Sequence, residues 1–77
     1  KGVTLSWTTA SETNNLGFEI QRSLDKKAFR KIGFVKGNGT SSNSHAYSFV
    51  DESAHGNIYY YRLKQVDLDG TFELSNV

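Results

Sequence analysis

Tyr59–Val77 reads YYYRLKQVDLDGTFELSNV, and its reading decides the fold. Two strand-like runs, rich in aromatic and β-branched residues, flank Asp69-Gly70. Asp-Gly is among the strongest short signals for a two-residue β-hairpin, because both central residues of that turn need φ > 0. The chain is therefore expected to close with a tight hairpin. Side chains alternate along a strand, so Tyr59, Tyr61 and Leu63 share the core face and Tyr60 points outward.

Working back from the hairpin, the same period of two recurs. Val3, Leu5 and Trp7 alternate with Thr4, Ser6 and Thr8, as in a half-buried strand. Phe18, Ile20 and Arg22 mark a second strand, and Asp25-Lys26-Lys27 a turn back. Phe29 to Lys36 is a less regular third strand. Phe29 and Ile32 have opposite parity, so both face inward only across a bulge, for which Gly33 is the candidate. Tyr47 and Phe49 lie in a fourth strand that ends at Asp51-Glu52. The segments SETNNLG (11–17), GNGTSSNS (37–44) and SAHGN (53–57) read as polar connections, the second of them mobile.

No helical period runs longer than a turn. The expectation is an all-β domain over residues 1–77, an immunoglobulin-like sandwich with six visible strands. A seven-stranded sandwich needs one more edge strand, whose place is before Lys1. The expected core is Val3, Leu5, Trp7, Phe18, Ile20, Phe29, Ile32, Tyr47, Phe49, Tyr59, Tyr61, Leu63, Phe72 and Leu74.

At 77 residues the domain is small, and such a chain buries only about 60–65% of the surface it exposes unfolded. A deep substrate pocket is hard to enclose in so little core. Nine Lys and Arg against eight Asp and Glu give a net charge of +1, which creates no strong pull toward nucleic acid. There is no cysteine, hence no disulfide and no thiolate metal site. No stretch is apolar enough for a signal peptide or a membrane span.

No catalytic set stands out. Asp67-Leu68-Asp69-Gly70 with Glu73 resembles a fragment of a calcium loop but lacks its further ligands, so a solvated turn is expected. His45 and His55 are expected in surface loops. Glu12, Asp51 and Glu52 fall in expected loops with nothing to raise a pKa, as acid–base work would require. Ser11 and Ser53 have no His and Asp order around them. Lys26, Lys27, Arg30, Lys31 and Lys36 are interleaved with Phe29 and Phe34, a pattern that can hold single-stranded nucleic acid. Here the rings are expected in the core and the cations along a solvated edge that resists aggregation. An outward Tyr60 and a part-exposed Phe34 leave sugar stacking as a second option. Asn38-Gly39-Thr40 fits a glycosylation sequon.

Leu5-Ser6-Trp7 early and Tyr59-Tyr60-Tyr61-Arg62-Leu63 late resemble the core pattern of a fibronectin type III module, with Tyr59 at the position of the tyrosine corner. The strings WTTASETNNLGFEIQRS, FRKIGFVKGNGTSS, YSFVD and YYYRLKQVDLDGTFELSNV narrow this further. They resemble the fibronectin type III-like domain near the C-terminus of secreted Bacteroidetes proteins, where it precedes a type IX secretion sorting domain. The resemblance covers about Val3 to Val77. It departs where Asp25-Lys26-Lys27 replaces Asp-Gly-Lys and where SAHGN lacks a proline. What it implies is a non-catalytic extracellular or cell-surface spacer, joining a functional domain to a sorting region. The partners it implies are neighbouring domains of the same polypeptide, with no cofactor, no nucleic acid and no membrane insertion. The alternative is a module that binds a polysaccharide or a surface protein.

Overall fold

Six strands form in chain order: β1 (Val3–Thr9), β2 (Glu12–Ser23), β3 (Arg30–Ser41), β4 (His45–Asp51), β5 (Tyr60–Asp67) and β6 (Phe72–Leu74). The structure, a computed structural model, describes residues 2–53 and 58–75. Among these the fold is all-β, in two antiparallel sheets: β1 with β4, and β3-β2-β5-β6. The arrangement is sandwich-like. The chain crosses between the sheets at β1 to β2, β3 to β4 and β4 to β5, so β5 lies beside β2 rather than beside its neighbour in sequence.

Alternation positions the core. In the two-stranded sheet Leu5 lies opposite Phe49 and Trp7 opposite Tyr47, all on the inner face. In the four-stranded sheet Phe18 and Ile20 of the central strand β2 point the same way and are buried, Ile20 completely. Trp7 stacks on Tyr47 with ring centroids 5.8 Å apart and meets Phe18 edge-on at 5.4 Å. These orientations suit the quadrupoles of the rings. Leu5, Trp7, Tyr47, Phe49, Tyr59, Tyr61 and Leu63 are half-buried, because two strands cannot cover four.

Several expectations are corrected. The closing turn is not a two-residue hairpin. Gly70 N–H donates to the Asp67 carbonyl (2.9 Å) and Asp67 N–H to the Thr71 carbonyl (2.8 Å), so the loop is the three residues Leu68–Gly70. Only Gly70 takes a positive φ there, 92°. This is a turn followed by a left-handed glycine, and it carries one residue more than expected. That residue shifts the register by one. Phe72 pairs with Val66 and Leu74 with Lys64, on the outer face, where they are 54% and 47% exposed. Phe72 and Leu74 therefore leave the core.

The bulge expected in β3 exists. Ile20 faces Gly33 while Gln21 faces Lys31, which makes Ile32 the extra residue. It does not bring Phe29 inward: the Arg62 guanidinium of the outer face lies 4.1 Å over the Phe29 ring. Val3 keeps the inner parity of β1 but stands 36% exposed at the strand's open end.

Two expected loops are strand. β2 starts at Glu12, not near Phe18, and passes Asn14 (φ 51°) with register shifts around Asn15. β3 continues to Ser41 through most of GNGTSSNS, with Gly39 opposite Asn15 and Ser41 opposite Glu12. Of SAHGN, residues 54–57, including His55, lie outside the described residues.

Candidate functional site

The polar groups concentrate in three places: a carboxylate at each end of the sandwich and the outer face of the four-stranded sheet. The two carboxylates were not legible as sites in the sequence, because Glu12 and Asp51 read as loop residues, whereas the cations and rings of the outer face read there as a candidate binding pattern.

Glu12 opens β2 and is 4% exposed. Its two oxygens accept four bonds. Thr9 Oγ1 (2.9 Å) and the Tyr47 hydroxyl donate to Oε2, and Asn15 Nδ2 (2.7 Å) and Asn38 N–H (3.0 Å) donate to Oε1. Asn38 Nδ2 in turn donates to the Tyr47 hydroxyl at 2.6 Å. One carboxylate thus joins β1, β2, β3 and β4. Burial alone would raise its pKa. The bonds from Tyr47, Asn38, Asn15 and Thr9 overturn that and hold it at about 2.

Asp51 ends β4 at the opposite end and is also 4% exposed. Arg22 Nη1 of β2 (2.7 Å) and the Tyr61 hydroxyl of β5 (2.9 Å) donate to Oδ2; Ser53 Oγ (2.8 Å) donates to Oδ1. Burial opposes ionisation of Asp51, and the bonds from Ser53, Arg22 and Tyr61 win, so its pKa falls. Burial, and then the neighbouring Asp51, push the Tyr61 phenol up to about 12. The Arg22 guanidinium also lies 4.6 Å over the Tyr59 ring. The phenol that bonds inward at this end is thus that of Tyr61, bound to a carboxylate, and not that of Tyr59 to backbone.

Both acids are consumed by strand-to-strand bonds and both are held ionised. A general acid needs the reverse, a pKa raised toward the working pH. Glu52 is exposed in the turn after Asp51. His45 is not in a loop: it opens β4, half-buried, with Nε2 2.8 Å from Ser41 Oγ. Asp67 and Asp69 both accept from Thr71 Oγ1, at 3.3 and 2.7 Å, which shapes their turn. Among the described residues, no three His, Asp or Glu side chains converge where a metal ion could be held.

The third place corrects the core expectation for Phe29 and Phe34, while Phe34, 42% exposed, agrees with its other reading as a part-exposed ring. Cross-strand rows on the outer face read Lys36, Gly17, Val66, Phe72, then Phe34, Glu19, Lys64, Leu74, then Lys31, Gln21, Arg62. Both phenyl rings belong to this face, not to the core. The Phe34 ring lies over Gly17, in space that any side chain there would fill. Lys64 sits 4.2 Å over Phe72, Lys26 4.9 Å over Tyr60 and Lys31 5.8 Å from the Phe34 centroid. Arg62 Nε donates to Gln21, whose amide donates to Glu19 at 2.7 Å, a polar line down the middle of the face. Tyr60 points outward, as its parity required.

Compared with protein-family models, with curated proteins and with solved structures, the chain finds no match.

Proposed function

We propose that this chain is a non-catalytic β-sandwich module of the fibronectin type III kind, acting as a spacer or scaffold in a secreted or cell-surface protein. One observation carries the reading. The two buried carboxylates, the groups best placed for chemistry, spend their hydrogen-bonding capacity on tying strands together. The strand order β1-β4 against β3-β2-β5-β6, with Trp7 of the first strand stacked on Tyr47, supports the fibronectin type III assignment. The described residues extend 39 Å along their long axis, a useful separation between neighbouring domains. The sorting role before a type IX secretion signal rests on the sequence resemblance.

Replacing residues 1–77 in the parent polypeptide by an unrelated sandwich of similar length tests this. A spacer predicts that the activity and surface delivery of the neighbouring domain survive the exchange. Loss of either, with the replacement folded, overturns it. A second reading, a binding module, is favoured by one observation, the cation-rich outer face.

A further inference from the structure

The outer face of the four-stranded sheet holds more positive charge than its carboxylate balances. Lys31, Lys36, Arg62 and Lys64 share it with a single carboxylate, Glu19, although the chain as a whole is only +1. The other acids lie elsewhere: Glu12 and Asp51 are buried, and Asp25, Asp67 and Asp69 belong to the ends of the hairpins. Glu52 sits in the turn after β4, and Glu73 of β6 pairs with Gln65 on the opposite parity. The patch is therefore local, with no long-range field behind it. Phe34 adds an apolar ring, 42% exposed, lying over Gly17 on the same surface.

We propose that this face binds an acidic polysaccharide, an extended polymer of sugars bearing carboxylate or sulfate groups. Three features fit that chemistry together. Arg62 and Lys64 leave one face of one strand about 6.5–7 Å apart at the backbone, with the cations of β3 starting about 10 Å away across β2. Their charged heads spread to either side, over Phe29 and over Phe72. This suits acid groups spaced along a sugar chain. The open Phe34 ring matches the apolar face of a pyranose. Between the cations, Glu19 already accepts from Gln21 and keeps lone pairs that sugar hydroxyls can fill. The same carboxylate favours a sugar polymer over a DNA phosphodiester backbone, which offers no hydroxyl donors. The proposal goes beyond the spacer reading and does not depend on it.

Affinity electrophoresis of the 77-residue chain through gels holding polygalacturonate or dextran sulfate tests it, with uncharged dextran as the control. The expected result is retardation by at least one acidic polymer, weakening with added salt, and none by dextran. Lys31→Gln should weaken binding about threefold, and Lys31→Gln with Lys64→Gln roughly tenfold. Arg30→Gln removes the same charge one residue away but on the opposite face, opposite Arg22, and should leave binding unchanged. Phe34→Ala should weaken binding without changing its salt dependence. These positions are exposed or half-exposed, and thermal melts followed by circular dichroism establish that each variant is folded. The proposal is overturned if neither acidic polymer retards the chain, if Arg30→Gln costs as much as Lys31→Gln, or if oligothymidylate binds as tightly as the polysaccharides.

Discussion

At one end of the sandwich a carboxylate is buried among neutral donors; at the other it is buried against a guanidinium. Glu12 has Thr9, Asn15, Tyr47 and a backbone N–H, and no cation. Asp51 has Arg22, Tyr61 and Ser53. Both join the two-stranded sheet to the four-stranded one, and both are kept ionised despite burial. The difference lies in what each leaves behind. Removing Asp51 strands a second charge, whereas removing Glu12 strands only hydroxyls and amides, some of which can rotate toward water. In a domain whose only fully buried apolar side chains are Phe18 and Ile20 among the described residues, such stitches carry a large share of the inter-sheet contact.

The largest expected effect follows from that asymmetry. Asp51→Ala should destabilise the domain by about 3–5 kcal/mol in urea unfolding, since the half-buried Arg22 loses its counter-ion. Adding Arg22→Met should recover part of the loss, because the orphaned charge goes with it. Glu12→Gln, with no cation to strand, should cost about 1–3 kcal/mol, as a carboxamide NH2 then faces donors. Equal costs for Asp51→Ala and Glu12→Gln, with no recovery from Arg22→Met, would erase the distinction between the ends.

Acid probes the same comparison. The Glu12 pKa falls from an ordinary 4.5 unfolded to about 2 folded. A depressed carboxylate contributes stability that is complete above the unfolded value and is lost as pH drops from about 4.5 toward 2. At about 1.4 kcal/mol per pKa unit, roughly 2–3 kcal/mol depends on Glu12 in that window. Asp51 is shifted the same way and adds to the acid loss. The Glu12 side-chain carbon signal should titrate near pH 2 by NMR, and Glu12→Gln should shallow the fall in stability between pH 4.5 and 2. A midpoint near 4.5 would mean the four donors do not hold the charge.

The sequence carried the strands whose inner side is apolar. Leu5 and Trp7, Tyr47 and Phe49, and Tyr61 and Leu63 alternate cleanly, and their strands lie where that period places them. It did not carry the start of β2 or the end of β3. There the buried positions are Glu12 and Asn15, and their partners are Asn38 to Ser41, so polarity that reads as loop is in fact the inner lining of strands. Phe72 and Leu74 show a second kind of limit. Asp69-Gly70 marks a turn, but not whether the loop holds two residues or three. With two, Phe72 would face Asp67 and share the inner side with Leu63. With three, it faces Val66 and looks outward. A single residue thus reassigned two side chains from core to surface, and helped build the outer face from which the polysaccharide proposal comes.

The smallest effect separates the two phenols. Tyr47 donates to Glu12 and accepts from Asn38, while Tyr61 donates to an Asp51 that already holds Arg22. Tyr47→Phe should therefore cost more, about 1–2 kcal/mol against about 1 kcal/mol for Tyr61→Phe. It should also raise the Glu12 pKa, because the first of the bonds that lower it is gone. Tyr61 has a further signature in base. Its phenol is raised to about 12, so the stability it contributes is intact below the ordinary value of 10 and is lost as pH rises toward 12. That part of the alkaline loss should vanish in Tyr61→Phe and persist in Glu12→Gln. If Tyr61→Phe proves the costlier of the two substitutions, the guanidinium is not what holds Asp51 in place, and the phenols rather than the charges distinguish the ends.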